Sequence, residues 1–365
     1  MGIIQDLSFE EIQKLVESLG QPNYRAKQLF ENIYLGKKIE EISNIPKEMK
    51  QALKERFIDE PIKIHTTQTD TDGTQKFAYE LCDGNIIEGV LMKYKYGNTL
   101  CVSTQVGCAM GCKFCASSLN GLARNLTAGE ILSQVLVVNR LAGGTVKDRQ
   151  VTNIVLMGSG EPLDNYDNVV KFLKLVTSPN GINVSARNIS LSTCGIVPNI
   201  KKLCGIGLPI ILTISLHAPT DEIRKKIMPI ANKYSIKQII EASREYFEAT
   251  GRRVVFEYAL IKGVNDGISC ARDLAKLVRG FPTHVNIIAL NEVEERGLKS
   301  VNKQYVEFFA EELEKLGVSA TVRRTIGENI DGACGQLRNK ILKEEDKKED
   351  KKEEDKKADK KEDIK

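Results

Sequence analysis

The stretch Cys108-Ala-Met-Gly-Cys112-Lys-Phe-Cys115 places three thiols within eight residues. It follows an apolar segment, Thr99–Ser103, which has the length and composition of a strand. Three thiols in a loop that contains glycine can converge on one metal centre. A chemically active loop directly after a strand is typical of folds in which the loops above a parallel sheet carry the function.

Strand-like and helical patterns alternate through the chain from Asn98 onward. The predicted strands are Thr99–Ser103, Asn153–Met157, Ile189–Ser192, Ile210–Leu216, Val254–Leu260, Val285–Leu290 and Ala320–Arg323. The predicted helices between them include Ala128–Leu141, Val169–Val176, Ile236–Ala249 and Tyr305–Leu316. This alternation predicts βαβ units around a parallel sheet, either barrel-like or doubly wound. Polar groups that end the strands would then lie at one rim.

The first 97 residues have a different pattern. Ser8 and Glu11 predict a capping box at the start of a first amphipathic helix. A second helical pattern runs from Ala26 to Tyr34, and a third includes Met49, Leu53 and Phe57. We therefore expect a small helical domain at 1–60.

A strand-like pattern follows the three helices. Turns at Asp72-Gly73 and Asp83-Gly84 separate its strands. We expect a β-rich connector with a β-hairpin at 61–97 and an α/β domain at 98–342.

The composition fits a core-forming chain of 365 residues, with 41% hydrophobic residues and a net charge of +4. No apolar run approaches the length of a membrane span, and the N-terminus turns acidic at once, so we expect a cytoplasmic protein. Residues 343–365 hold ten lysines and eleven acidic residues. Such a segment cannot bury enough apolar surface to fold, so it is predicted to be a disordered tail without a catalytic role.

Zinc and an iron–sulfur cluster are the two candidate centres for the three thiols. Structural zinc sites usually close with four ligands in paired spacing, whereas the spacing here is C-x3-C-x2-C with no matching fourth Cys or His nearby. Three thiolates on a four-iron cube leave one iron open to a substrate. The pattern thus favours a catalytic cluster on Cys108, Cys112 and Cys115. A zinc-stabilised RNA-binding module without catalysis is the alternative.

Polar groups also end the later strands. Met157-Gly-Ser-Gly-Glu161 follows the second strand of the α/β part, where Gly160 lets the backbone approach a ligand and Glu161 supplies a carboxylate for an ammonium group. Taken singly, each such residue has an ordinary role in a turn or cap. Together they predict a cofactor-binding rim. Its candidate members are Gly160, Glu161, Ser192, Ser215, Leu216, His217 and Asn291.

The C-x3-C-x2-C loop at the top of a β/α barrel resembles the radical SAM superfamily. The resemblance implies that S-adenosylmethionine (SAM) chelates the open iron of a [4Fe–4S] cluster through its amino and carboxylate groups. Reductive cleavage of SAM then yields a 5′-deoxyadenosyl radical, while the protein positions the reacting groups and excludes water. It also implies that the turn at Gly160 and Glu161 holds the methionine amine.

Residues from about Tyr24 to Arg338 further resemble the RlmN-type RNA adenine methyltransferases. The shared motifs are T-L-C-V-S-x-Q-x-G-C-x-x-x-C-x-F-C, G-x-G-E-P, S-L-H-A-P, K-G-V-N-D and I-D-G-A-C-G-Q-L. Ser159 and Cys194 occupy slots where other small or apolar residues are expected. The resemblance implies a partial (β/α)6 TIM-type barrel behind a helix-hairpin-helix-like N-terminal domain.

The same resemblance implies roles for three further residues. One SAM methylates Cys334 to S-methylcysteine, and a second SAM supplies the radical, so that two are used per turnover. The carbon of the methyl group that Cys334 has received then links the protein to adenine. Glu88 matches the proton acceptor, and Cys101 matches the thiol that releases Cys334 through a transient disulfide.

The implied substrates are an adenosine of 23S rRNA near the peptidyl-transferase centre and adenosine 37 of some tRNAs, methylated at C2. The implied electron donor is a flavodoxin or ferredoxin, and the expected state is a monomer without a membrane partner. The closest competitor is the related antibiotic-resistance type, which methylates C8 of the same rRNA adenosine. That type has Ala where this chain has Pro162, and a different N-terminal part.

Overall fold

The computed structural model describes residues 1–324, 330 and 335–343. The strands are β1 (Gly2–Ile3), β2 (Phe57–Ile58), β3 (Ile62–Thr69), β4 (Gln75–Leu81), β5 (Ile86–Tyr94), β6 (Gly97–Cys101), β7 (Gln105–Gly107), β8 (Leu122–Asn125), β9 (Val151–Leu156), β10 (Ile189–Thr193), β11 (Ile211–Ser215), β12 (Val254–Leu260), β13 (Thr283–Ala289) and β14 (Ala320–Val322). The helices are α1 (Phe9–Ser18), α2 (Tyr24–Tyr34), α3 (Lys47–Arg56), α4 (Ala128–Leu141), α5 (Tyr166–Val176), α6 (Val197–Leu203), α7 (Asp221–Ile227), α8 (Ile236–Thr250), α9 (Ile268–Leu277), α10 (Lys303–Lys315) and α11 (336–343).

One ten-stranded sheet organises the molecule, in the order β14-β13-β12-β11-β10-β9-β6-β5-β4-β3. The strands from β6 through β9 to β14 are parallel neighbours, and helices lie between them in the sequence. Helix α4 packs on α5, α6 on α8, and α9 on α10. The predicted α/β fold with a partial barrel of parallel strands is confirmed.

Strands β3, β4 and β5 form an antiparallel extension of the same sheet, joined to it by the pairing of β5 with β6. Both predicted turns are present. Gly73 and Gly84 each have φ +81°, a backbone conformation that favours glycine. The extension places β5 directly beside β6, the strand that leads into the cysteine loop.

The N-terminal helices pack on the barrel. Tyr34 of α2 donates a hydrogen bond to the carbonyl of Leu175 at 3.3 Å, and Asp6 accepts one from the N–H of Gly129 at 2.6 Å. A Cβ at position 129 would lie 2.8 Å from the backbone nitrogen of Asp6, so this contact requires glycine. One continuous apolar core therefore reaches from Ile4 through the barrel strands.

The boundaries predicted from local sequence patterns agree with most observed helices and strands to within a few residues. The capping box of Ser8 and Glu11 is present at α1. The assignment of Phe57 to the third helix was wrong, because this residue is extended and pairs with Gly2 in the short β1–β2 ladder. Among the described residues, no helix is both long enough and apolar enough to cross a lipid bilayer. Cys334 and the predicted tail beyond Lys343 lie outside the described residues.

Candidate active site

A cavity of about 360 Å³ opens at the carboxyl ends of the parallel strands. The described residues that line it include ten of the predicted site residues: Cys101, Cys108, Cys112, Cys115, Gly160, Glu161, Ser192, Ser215, His217 and Asn291. These residues come from six different strand ends or loops. The sheet topology therefore brings together side chains that lie up to 190 positions apart in the sequence.

The cysteine loop is held in place by its own backbone. The N–H of Cys108 donates to the carbonyl of Gly121 at 2.9 Å, and the N–H of Lys113 donates to Ile227 at 2.9 Å. Cys108 and Cys112 are buried, and Cys115 is half-buried. Apolar side chains surround them, including those of Met110, Phe114, Ile227, Met228 and Leu290. The loop thus presents three sulfur atoms to a dry part of the cavity.

Burial raises the pKa of the Cys108 thiol to about 12 and raises the pKa of Cys112 strongly as well. A metal ligand must be a thiolate, so loading of this site has to release protons. Cys108, Cys112 and Cys115 line one cavity, as the three ligands of a single centre must.

Glu161 lies deep in the cavity wall, with 4% of its surface exposed. Its carboxylate accepts hydrogen bonds from the N–H groups of Cys194 at 2.7 Å and Leu163 at 3.0 Å. Burial raises the pKa of Glu161. A cation bound in the cavity would stabilise the charged form of this carboxylate, as the amine of SAM would.

A close contact within the protein requires glycine at position 160. Its φ is +105°, and a Cβ there would lie 2.5 Å from the Cβ of Gln105. Gly158 is similarly close to the carbonyl of Val102, at 2.7 Å. The close approach at this turn is therefore to the β6–β7 segment of the protein itself, and it sets the position of Glu161 beside the cysteine loop.

Two serines and a glutamate form a polar row across neighbouring strands. The hydroxyls of Ser192 on β10 and Ser215 on β11 are 3.2 Å apart, and Ser192 lies 3.4 Å from Oε2 of Glu257 on β12. Glu257 was not among the site residues predicted from the sequence. Its signal was a lone carboxylate within Val254–Leu260, a strand of seven buried residues.

His217 is buried in the left-handed region, with φ 56°. Its Nδ1 accepts a hydrogen bond from the N–H of Ala259 at 3.0 Å. Burial, followed by the positive charge of Arg224, lowers the pKa of His217 to about 3. The ring is therefore neutral near pH 7 and serves as a fixed acceptor. Leu216 packs in the main core and is not among the described residues that line the cavity, whereas Asn291 is exposed at its rim.

Cys101 and Glu88 lie on neighbouring strands next to the cysteine loop. Cys101, at the end of β6, is 6% exposed and lines the cavity, opposite Val90 of β5. Glu88, two residues before Val90, is 3% exposed and is not among the described lining residues. Its two oxygens accept hydrogen bonds from the N–H groups of Gly335 and Arg338, at 2.6 Å and 2.5 Å.

Gly335, which follows Cys334 in the sequence, packs against the turn after Cys115. A Cβ on Gly335 would lie 2.6 Å from the backbone nitrogen of Ser117. Asn339 also donates a hydrogen bond from Nδ2 to the carbonyl of Ala116 at 3.2 Å. The beginning of α11 is therefore attached to the cysteine loop on one side and to β5 on the other.

Comparison with known proteins gives consistent matches. Residues 102–277 match the sequence profile of the Radical SAM superfamily. A probable dual-specificity RNA methyltransferase RlmN from Clostridium perfringens (strain SM101 / Type A) is 50% identical over 95% of this chain and 100% of its own length. The corresponding protein of Lachnospira eligens is 46% identical over 95% and 99%. The crystal structure of a radical SAM methyltransferase from Sphaerobacter thermophilus has a TM-score of 0.88 at 40% identity, with coverage of 92% of this chain and 99% of that one.

The parallel barrel, the cysteine loop and these matches define a radical SAM methyltransferase. The chain belongs to the RlmN family of dual-specificity RNA methyltransferases. The cofactors of this class are a [4Fe–4S] cluster and SAM, as the sequence predicted. Because the family consists of methyltransferases, the alternative of a non-catalytic zinc module has no support.

Proposed function

We propose that this chain methylates C2 of an adenosine in 23S rRNA near the peptidyl-transferase centre and of adenosine 37 in some tRNAs, with Cys334 as the methyl carrier. One observation carries the proposal. Cys101, the three cysteines of the loop and Glu161 line a single cavity, and the residue after Cys334 packs against Ala116 and Ser117, which directly follow that loop. These are the groups that a transfer through a protein thiol requires.

In this proposal Cys108, Cys112 and Cys115 hold the cluster, and Glu161 binds the amine of SAM. Gly160, Ser192, Ser215, the backbone of Leu216, His217 and Asn291 complete the SAM site. When bound, the cluster and SAM supply reductive cleavage to a 5′-deoxyadenosyl radical, which carbon C2 of adenine needs because it is a weak nucleophile. The apolar residues around the loop exclude water from this chemistry.

Cys334 carries the methyl group as S-methylcysteine and becomes joined to the adenine ring through that carbon. Glu88 accepts the ring proton. The Cys101 thiol then loses its proton and forms a disulfide with the Cys334 sulfur as the S–C bond to the product breaks, the released carbon takes up a proton, and the one electron left over would return to the cluster. A carboxylate has about four acceptor sites. Glu88 uses two for Gly335 and Arg338 and one for Lys76, whose Nζ lies 3.3 Å away. The site count therefore leaves room for a proton.

The RNA substrate needs its target base outside the helical stack. Arg323 and Arg324 follow β14 and line the cavity, which supports a role for them in contacting the RNA backbone. The remaining partners are proposed on the same basis: a flavodoxin or ferredoxin as the electron donor, no membrane, and a monomeric enzyme in the cytoplasm.

The test is mass spectrometry of RNA digests from cells that contain either the wild-type chain or Cys334→Ala as their only enzyme of this family. We expect 2-methyladenosine with the wild type and none with Cys334→Ala. Cys204→Ala is the matched control, because Cys204 lies at the end of α6 and is not among the described lining residues. Persistence of 2-methyladenosine in Cys334→Ala would refute the carrier role. Detection of 8-methyladenosine in place of the C2 product would identify the enzyme as the C8 type.

A further inference from the structure

A buried lysine lies behind Glu88. Lys76 of β4 has no exposed surface, and its Nζ is 3.3 Å from Oε2 of Glu88, whose side chain is 4% exposed. Lysine is almost never fully buried without a charged partner. The register explains the contact, because Ala78 on β4 is paired with Glu88 on β5 and Lys76 lies two residues from Ala78. The pair is thus built into the antiparallel extension of the sheet.

The carboxylate in this pair binds the first turn of α11. Glu88 accepts hydrogen bonds from Gly335 and Arg338 through different oxygens, and Arg338 donates a further bond from Nε to the carbonyl of Ile86 at 2.9 Å. Both carboxylate oxygens of Glu88 therefore act as acceptors, each for one N–H group of this turn. The ammonium group of Lys76 adds a charged donor 3.3 Å from Oε2 of the same carboxylate.

The first turn of α11 is also closely packed on the side that faces away from Glu88. Gly335 has φ +84°, and the backbone of Ala116 and Ser117 leaves no space for a Cβ. Asn120 also reaches the turn, with its Nδ2 3.3 Å from Oδ1 of Asn339. Gly335 is therefore fixed between Glu88 and the residues that directly follow the cysteine loop.

We propose that Lys76 is a positioning residue for methyl transfer. By compensating the charge of Glu88, Lys76 keeps that carboxylate bound to Gly335 and Arg338, and so anchors the segment next to Cys334 beside the cysteine loop. The link to catalysis rests on the proposed function of Cys334. The anchoring itself concerns only Lys76, Glu88 and the first turn of α11.

Amide hydrogen exchange of the full-length, cluster-loaded protein tests the anchor directly. In Lys76→Met we expect the N–H groups of Gly335 and Arg338 to exchange at least about tenfold faster than in the wild type, because hydrogen bonds to a charged acceptor are lost. Lys93→Met on β5, where the lysine is exposed, is the control and should leave both rates unchanged. Lys76→Arg retains the charge and should restore most of the protection.

A second measurement on the same variants connects the anchor to the reaction. Peptide mass spectrometry after incubation with SAM reports the fraction of Cys334 that carries a methyl group. We expect this fraction to fall at least about tenfold in Lys76→Met and to recover in Lys76→Arg. Recovery of Cys334 methylation in Lys76→Arg would show that the positive charge at position 76 is required. A defect caused only by lost packing would not be corrected by restoring the charge.

Two results would overturn the proposal. Unchanged exchange at Gly335 and Arg338 in Lys76→Met would refute the anchor, and faster exchange with full Cys334 methylation would refute its role in positioning. If Lys76→Met does not fold, Lys76→Gln removes the charge alone, and unchanged exchange at Gly335 and Arg338 in that variant would refute the claim that the charge of Lys76 maintains the anchor. Failure of the proposed function is separate: 2-methyladenosine made by Cys334→Ala would remove the carrier role but would not change the exchange rates.

Discussion

Glu257 and Arg323 form an ion pair at the cavity, with Oε1 of Glu257 2.9 Å from Nη1 of Arg323. The carboxylate is nearly buried, whereas 38% of the arginine side chain is exposed. The pair joins the polar row formed by Ser192 and Ser215 to the residues that follow β14. A buried anion thus fixes the direction of a cation that remains accessible to an RNA phosphate.

Replacement of this cation should weaken RNA binding without preventing SAM binding. For Arg323→Met we expect KM for RNA to rise about threefold to tenfold, and the slope of log Kd against log salt to fall by about one. Filter binding at several salt concentrations measures the slope. Lys237→Met, on the exposed side of α8, is the control. An unchanged slope in Arg323→Met would show that Arg323 makes no phosphate contact.

Glu161→Gln should reduce the affinity for SAM by about tenfold to a hundredfold, because a charge-assisted hydrogen bond to the amine is worth about 1.5–3 kcal/mol. Isothermal calorimetry on the cluster-loaded protein measures the affinity. Iron content should stay at the wild-type level, since Glu161 is not a cluster ligand in this account. Glu245→Gln, in an exposed ion pair with Lys201, is the matched control. Equal SAM affinity in Glu161→Gln and the control would contradict the assignment.

Gly160→Ala should destabilise the protein by about 1–3 kcal/mol through overpacking and strain. The new Cβ would meet Gln105 at 2.5 Å in a backbone conformation of φ +105°. Urea unfolding gives the change in free energy. Gly207→Ala also places a side chain at positive φ, +72°, but with nothing within 4 Å, so it measures the cost of a left-handed backbone without a clash. If both variants lose the same stability, the contact with Gln105 contributes nothing.

His217 should make the folding stability depend on pH between about 6.5 and 3. Burial lowers the pKa of His217 in the folded protein from its ordinary value of 6.5 to about 3. Below pH 6.5 the unfolded chain therefore binds a proton that the folded chain does not, and stability falls by about 1.4 kcal/mol per pH unit. Above pH 6.5 His217 does not make the free energy of unfolding depend on pH.

The variant His217→Asn isolates this contribution. Asparagine tolerates the left-handed backbone, and its side-chain oxygen can accept the hydrogen bond from Ala259. Urea unfolding of wild type and variant at pH 7.5, 6.5 and 5.5 should show a shallower loss for the variant at the acid end. Parallel curves would mean that His217 titrates normally in the folded protein.

Loading of the cysteine site should release protons, because the metal-free thiols of Cys108 and Cys112 have raised pKa values. We expect the iron affinity of the metal-free protein to increase with pH between 7 and 9. Anaerobic iron and sulfide titrations in weakly and strongly buffered solutions measure the uptake and the released protons. Binding that is independent of pH over this range would show that the thiols are already ionised.

The sequence predicted the parts of the molecule that depend on local pattern. The spacing of Cys108, Cys112 and Cys115 indicated the cluster loop, and the Ser8 capping box marked a helix start correctly. Alternation of strands and helices predicted that Glu161, Ser192 and Ser215 would share a rim, since the carboxyl ends of parallel strands meet at one edge. The cavity contains all of these side chains.

Contacts between distant strands could not be predicted in this way. Lys76 and Glu88 lie on a strand pair that is buried on both faces, so alternation gives no indication of which polar residue is inside. The ion pair of Glu257 and Arg323 likewise depends on which strands become neighbours. Gly160 was correctly singled out, but its neighbour Gln105 is set by the tertiary fold alone.

The most direct test of the account is the position of the protein-bound methyl group. After the wild-type enzyme is incubated with isotopically labelled SAM, peptide mass spectrometry should find the label on Cys334, and Cys334→Ala should carry none. Label on Cys101 or another residue, or transfer to RNA without any labelled cysteine, would contradict the claim that this enzyme methylates RNA through Cys334.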